Sequence, residues 1–180
     1  ALIPTNHKGV EIGRRHLPAD QAFLNGPNSG KDVFIPMSFV IGGEARLGEG
    51  WMMLMNALAA GRAISLPASG TASAKAAALV TTAYARVRKQ FNIPVGMMEG
   101  VEEKLAEIVS LAYTTEAARR LTNAGLDQGH KPSVISALWK YEATERGRRA
   151  IEYAMDIHAG KAISGGPKNY LFNAFKAQPI

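Results

Sequence analysis

The stretch "AYARVRKQFNIPVG", residues 83–96, places Arg86, Arg88 and Lys89 within four positions, just before a Phe and an Asn-Ile-Pro. Cations at this spacing suit two roles. They can complement the negative end of a helix, or they can hold a phosphate. "NGPNSGKD", residues 25–32, looks like a phosphate loop, but Asp32 stands where a magnesium-binding hydroxyl belongs. A turn leading into a strand "DVFIP" is the better reading. His7, His16, His130 and His158 are spaced so that no two share a helix face, which argues against a zinc site. The glycines of "ISGGPKN", residues 163–169, read as a turn.

Arg62 lies inside the apolar run "MLMNALAAGRAISL", so it is expected to be buried and to need a fixed partner. It could serve a structural ion pair or the wall of a ligand pocket. Arg119, Arg120, Arg146, Arg148 and Arg149 are expected on solvent faces of helices, with a nucleic-acid surface as the alternative. Few aromatic residues are interleaved among them, so stacking on single strands is not supported.

The elements that must carry these residues follow from composition and period. The 180 residues are 47% apolar and 20% charged, with a net charge of +6, as for a globular protein with anionic partners. Without cysteine, disulfides and thiolate metal sites are excluded. The most apolar stretch contains Arg62 and Pro67 and falls short of the ~20 residues a membrane span requires. The first Ala and the final "FKAQPI" give the look of a piece of a longer protein.

Residues 1–45 read as strands and loops, with Val10 and Ile12 alternating and "DVFIPMSFVIGG" as a β-rich run. A helical character begins near Glu49, and Pro67 and Gly70 are expected to kink or divide the first helix. A second helix spans about 98–124, with Val101, Leu105, Ile108 and Ala112 on one face. A third begins at Pro132, with Ser133 as its cap and Val134, Ala137, Leu138 and Tyr141 as its first apolar stripe. The fold expected is mainly α: a short β segment followed by an antiparallel bundle of long helices.

The order of "DVFIP", "GEGWMMLMNALAAGR", "AYARVRKQF" and "AIEYAMDIHAGKAI" resembles the acyl-CoA dehydrogenases. "GPKNYLFNAFKAQPI" is most similar to their bacterial long-chain branch. The resemblance covers nearly the whole chain. It implies that residues 1–45 are the end of a middle β-domain and 46–180 an incomplete C-terminal helical bundle. It further implies oxidation of a fatty acyl-CoA to the trans-2-enoyl-CoA in β-oxidation, with FAD as cofactor and electron-transfer flavoprotein as acceptor. A glutamate removes the α-proton, and the β-hydrogen leaves as hydride.

By the same resemblance Arg88 contacts the FAD pyrophosphate of a neighbouring subunit, followed along the cofactor by Gln90 and Phe91. Asp156 to Gly160 approach the same FAD, although the family usually has Gln at position 156 and Gly at 159. Arg62 supports the catalytic loop, and Leu58, Gly61, Arg62 and Ser65 line the acyl pocket. Some relatives carry the glutamate where this chain has Gly61. The base is therefore expected beyond Ile180, which leaves this chain alone inactive. The resemblance also implies a homodimer or homotetramer, no metal, no nucleic acid, and a cytoplasmic location with the bacterial inner membrane as alternative. The competing readings are a basic helical interaction module and a flavin-free homologue with a scaffold role.

Overall fold

The computed structural model describes residues 1–21 and 25–178, with Ala60 described by its backbone alone. The chain divides into two units, residues 1–57 and the helical part from Leu58 onward.

In the first unit, β1 (Val10–Ile12) pairs antiparallel with β2 (Asn28–Gly30), Val10 opposite Gly30 and Ile12 opposite Asn28. A bridge between His16 and Asn25 extends the ladder. The segment expected to be a turn, "NSG", is thus a strand. The segment expected to be a strand, "DVFIPMSF", is not: it runs without ladder partners into a 3-10 turn at Met37–Phe39. Pro36 explains part of this, since it has no N–H to give a ladder. The Nε2 of His7 lies 2.7 Å from the Phe34 carbonyl, and its ring meets Phe39 edge-on, so His7 is a structural clasp.

Helix α1 (Gly50–Val87) runs through Pro67 and Gly70 without dividing, against the sequence expectation. Pro67 removes one helical hydrogen bond, but its ring is fully buried, and packing offsets the loss. Gly70 is where α1 meets α3 (Ser133–His158): a Cβ built on Gly147 would lie 2.7 Å from the Gly70 carbonyl oxygen. The two backbones touch because neither carries a side chain there.

Helix α2 (Glu99–Asp127) starts with Glu99 and Glu102 in its first turn, matching the positive end of its dipole. It outlasts the expected end near Ala124 by one turn. Its buried positions include Ile108 and Ala112, on the face read from the sequence. The expected first stripe of α3 is overturned. Val134, Leu138 and Tyr141 are exposed, while Ser136, Trp139, Ala143 and Gly147 face inward. Small residues that permit close helix contact, Ser136, Ala143 and Gly147, share the buried side with Trp139 and Ile151. Ser133 is the first helical residue rather than the cap, a position held by Pro132.

The core joins Ala74 and Ala77 of α1, Ile108 and Ala112 of α2, and Ala150, Ile151 and Ala154 of α3. Two short helices close it, α4 (Gly160–Ile163) through Ala162 and α5 (Tyr170–Ala177) through Leu171. Asn169 links them. Its Oδ1 accepts the N–H groups of Leu171 and Phe172 at 3.1 and 3.2 Å, capping α5. Its Nδ2 donates to the carbonyls of Lys161 at 2.7 Å and Ala162 at 3.1 Å, and to Ser164. "SGGPKN" between them forms turns, as expected.

Candidate functional site: a cationic cavity where two helices end

The basic run at the end of α1 owes its shape to a tight hairpin. After Val87 the chain enters β3 (Lys89–Gln90), turns at Phe91 and Asn92, and returns as β4 (Ile93–Pro94). Both turn residues have positive φ, 50° and 65°, as a two-residue hairpin of this hand requires. Arg88 is fixed at the base: its N–H donates to the Tyr84 carbonyl at 2.8 Å, and its carbonyl accepts from Val95 N–H at 2.8 Å.

Across from this hairpin α3 ends at His158. Ala159 then takes φ 52° and ψ −134°, a conformation open to glycine and strained for alanine. Its N–H donates to Met155 and Asp156 carbonyls at 2.9 and 3.2 Å, and its carbonyl accepts from Ala162 at 2.8 Å. These bonds hold the bend that starts α4. Ala159→Gly is expected to stabilise the protein by about 1–3 kcal/mol, read as a higher Tm in thermal unfolding. A lower Tm would mean that the alanine is not strained.

The ends of α1 and α3 border a cavity of about 700 Å³. Tyr84, Val87, Arg88, Gln90 and Val95 form one wall, and Ile157 to Lys161 the other. Arg88 and Lys161 supply positive charge, and Gln90 an amide. A Cβ added at Gly160 would meet nothing within 4 Å, so a ligand can approach the backbone closely there. This donor set fits a diphosphate.

His158 is nearly sealed in, with 3% of its surface exposed. Its ring stacks on Tyr84 at 4.1 Å and 19°, and meets Tyr170 edge-on at 6.4 Å. Nδ1 lies 2.8 Å from the Ala154 carbonyl, while Nε2 is buried with no partner among the described residues. Burial pushes the imidazole pKa down, the Ala154 carbonyl opposes this, and the Lys161 charge adds to the lowering.

Of the residues proposed for the cofactor, Arg88, Gln90 and Gly160 share this cavity. Phe91 does not line it: the ring stands at the hairpin tip, 89% exposed. Asp156 is exposed and is also absent from the wall, which keeps its carboxylate off an anion site. Leu58, Gly61, Arg62 and Ser65 follow one another along one exposed face of α1. Arg62 is therefore not buried, because this part of α1 has only scattered positions facing inward. At helical rise, Ser65 stands about 35 Å from Arg88 along α1, so the two groups do not converge within one chain.

Tyr84 and Lys161 line this cavity and were not singled out from the sequence, whereas His158 falls within the segment Asp156 to Gly160 that was. Tyr84, in the last turn of α1, stands four residues before Arg88, which was a usable signal. His158 sits in the periodic pattern of buried residues and reads as core. The arginines considered for nucleic acid are mostly occupied. Glu116 binds Arg119 at 2.9 Å and Arg120 at 2.8 Å, Glu142 binds Arg146 at 2.9 Å, and Glu145 reaches Arg148 at 3.8 Å. The guanidiniums hold the Glu116 carboxyl far below the usual carboxylate range. Among the described residues no cluster of three His, Cys, Asp or Glu could hold a metal ion, and no helix is long and apolar enough to cross a membrane.

The profile of the acyl-CoA dehydrogenase C-terminal domain matches residues 48–177. The chain belongs to the acyl-CoA dehydrogenase family. It is 31% identical over 176 residues to the probable acyl-CoA dehydrogenase YngJ of Bacillus subtilis strain 168, across 94% of this chain and 43% of that protein. A shorter match, 54% identical over 83 residues, links 46% of the chain to 49% of Protein HemX of Proteus mirabilis. The chain spans less than half the length of these curated relatives. Among solved structures, PigA with FAD and proline superimposes with a TM-score of 0.88 at 19% identity, over 98% of this chain and 45% of that one. That likeness is one of fold. Family membership agrees with the resemblance read from the sequence motifs.

Proposed function

We propose that this chain forms the helical part of an FAD-dependent enzyme that oxidises fatty acyl-CoA thioesters to trans-2-enoyl-CoA in β-oxidation. The observation that carries the cofactor side is the cavity joining Arg88, Gln90, Gly160 and Lys161. Arg88 and Lys161 would hold the pyrophosphate of FAD, and Gln90 would orient it. PigA, of the same fold, was solved with FAD, which supports this choice. When bound, FAD supplies the acceptor for the hydride leaving the substrate β-carbon.

Leu58, Gly61, Arg62 and Ser65 are assigned to the acyl side. The separation of about 35 Å along α1 favours a cavity that serves the FAD of a neighbouring subunit, so a homodimer or homotetramer is the expected working form. Gly61 has no side chain to act as a base, and we assign that role to a glutamate following Ile180 in the natural protein. Electron-transfer flavoprotein is the acceptor assigned to the reduced enzyme.

The test is the visible absorption of the natural protein before and after a long-chain acyl-CoA is added without oxygen. Bleaching of a flavin band supports the whole reading. A flavin band that does not bleach overturns the acyl-CoA assignment and keeps the cofactor site. A protein purified and reconstituted without flavin uptake overturns both.

A further inference from the structure

His158 touches each side of the cavity and has no role in the chemistry above. We propose that His158 is the positioning residue of this cavity, holding its two walls together as a neutral ring and releasing them when it takes a proton. The inference rests on the FAD reading only for the choice of ligand.

The geometry sets the protonation state. A carbonyl can only accept, so the contact at 2.8 Å from Ala154 puts the hydrogen on Nδ1 and leaves Nε2 bare. A proton added at Nε2 would create an N–H donor in an enclosed place with no acceptor among the described residues. The charge would also face Lys161, and burial already lowers the affinity of the ring for a proton. The titratable groups on the surrounding elements give little relief. Tyr84 and Arg88 lie toward the α1 side, Lys161 on α4 and Tyr170 on α5, while Asp156 is exposed. The protonated ring is therefore driven out toward water.

Moving the ring has a direct consequence for the ligand site. His158 stacks on Tyr84, and the Tyr84 carbonyl accepts the N–H of Arg88. Losing the stack frees the last turn of α1 from α3 and lets Arg88 drift from Gly160 and Lys161. Because the folded-state pKa is lowered, the assembled cavity is fully present above the ordinary His pKa and is lost as pH falls through the folded one. Simple electrostatics predicts the opposite, since an extra positive charge beside a diphosphate should tighten binding in acid.

That opposition in sign makes the test decisive. FAD affinity of the natural apoprotein would be measured between about pH 7.5 and about pH 5, a range in which the pyrophosphate of FAD stays ionised. The expected result is weakening of about tenfold in acid, with a flat profile in His158→Phe, which keeps a ring against Tyr84. Tighter or unchanged binding in acid, or the same decline in His158→Phe, overturns the proposal. A second measurement needs no flavin: amide exchange at residues 84–88 and 158–162, followed while the His158 ring is titrated by NMR. Faster exchange in step with His158 supports the role, and titration without it overturns the role. If FAD binds at no pH, the cofactor reading fails, and the amide measurement still decides the role of His158.

Discussion

Gly70→Ala is expected to destabilise the protein by about 3 kcal/mol, lowering Tm by about 10 °C. The new methyl group would overlap the carbonyl oxygen and carbon of Ala143 and lie 3.1 Å from the Thr144 amide nitrogen. All three are backbone atoms of α3, so no side chain can rotate away. The helices must separate, and the core cluster that joins Ala74 and Ala77 of α1 with Ala150 and Ala154 of α3 loosens. Helix propensity acts in the other direction, since alanine is better than glycine by about 1 kcal/mol. Gly125→Ala isolates that term: it lies within α2, and an added Cβ meets nothing within 4 Å. That variant is expected to be slightly more stable. If Gly70→Ala also raises Tm, α1 and α3 do not cross in backbone contact at Gly70.

Arg88→Glu is expected to weaken FAD binding by at least about a hundredfold in the natural protein, with Tm and far-UV circular dichroism unchanged. The side chain is exposed, and only the backbone of Arg88 is tied into the hairpin, so reversal of its charge leaves the fold intact. Next to a diphosphate, the same reversal replaces a charge-assisted hydrogen bond with repulsion, and Lys161 alone cannot compensate. Arg88→Lys keeps the charge and loses the planar fork, so a smaller loss of about tenfold is expected. Arg86→Glu is the matched control, because Arg86 lies two residues away, is also exposed and does not line the cavity. Equal losses for Arg86→Glu and Arg88→Glu would point to a general field effect and remove the specific contact.

The distance between the acyl-side residues and the cavity gives these variants a wider meaning. If the FAD held by Arg88 belongs to a second copy, then mixing Arg88→Glu subunits with subunits altered at Arg62 should give mixed pairs with one site free of both changes and recover activity, whereas sites built within one chain would each keep one change and stay impaired. The site is then a property of the assembly, and α1 is the strut that carries one end of it to each neighbour.

Much was legible from order and period alone. The three long helices follow from a run rich in Ala, Leu and Met, a periodic stretch over about 98–124 and a third opening at Pro132, although their exact ends did not. The buried face of α2 could be read because Ile108 and Ala112 repeat on a regular helical stripe among charged residues. The family followed from motifs in a fixed order, and one of them drew attention to Arg88, which lines the cavity. Each of these signals is local, or depends only on residue order.

Tertiary structure decided the rest, for reasons that single-chain periodicity does not contain. The inward side of α3 is chosen by close approach at Gly147, so Ala143 and Gly147 are buried while Val134 and Leu138 stay exposed. Pro67 remains inside a continuous helix because burial of its ring offsets one lost hydrogen bond. His158 looks like any core position until Tyr84, more than seventy residues earlier, is seen against its ring. Sequence thus determined which helices form and what family they make, since those depend on local propensity and residue order. Which faces meet, and hence that the ends of α1 and α3 border one cationic cavity, depends on contacts between distant segments and was settled only by packing.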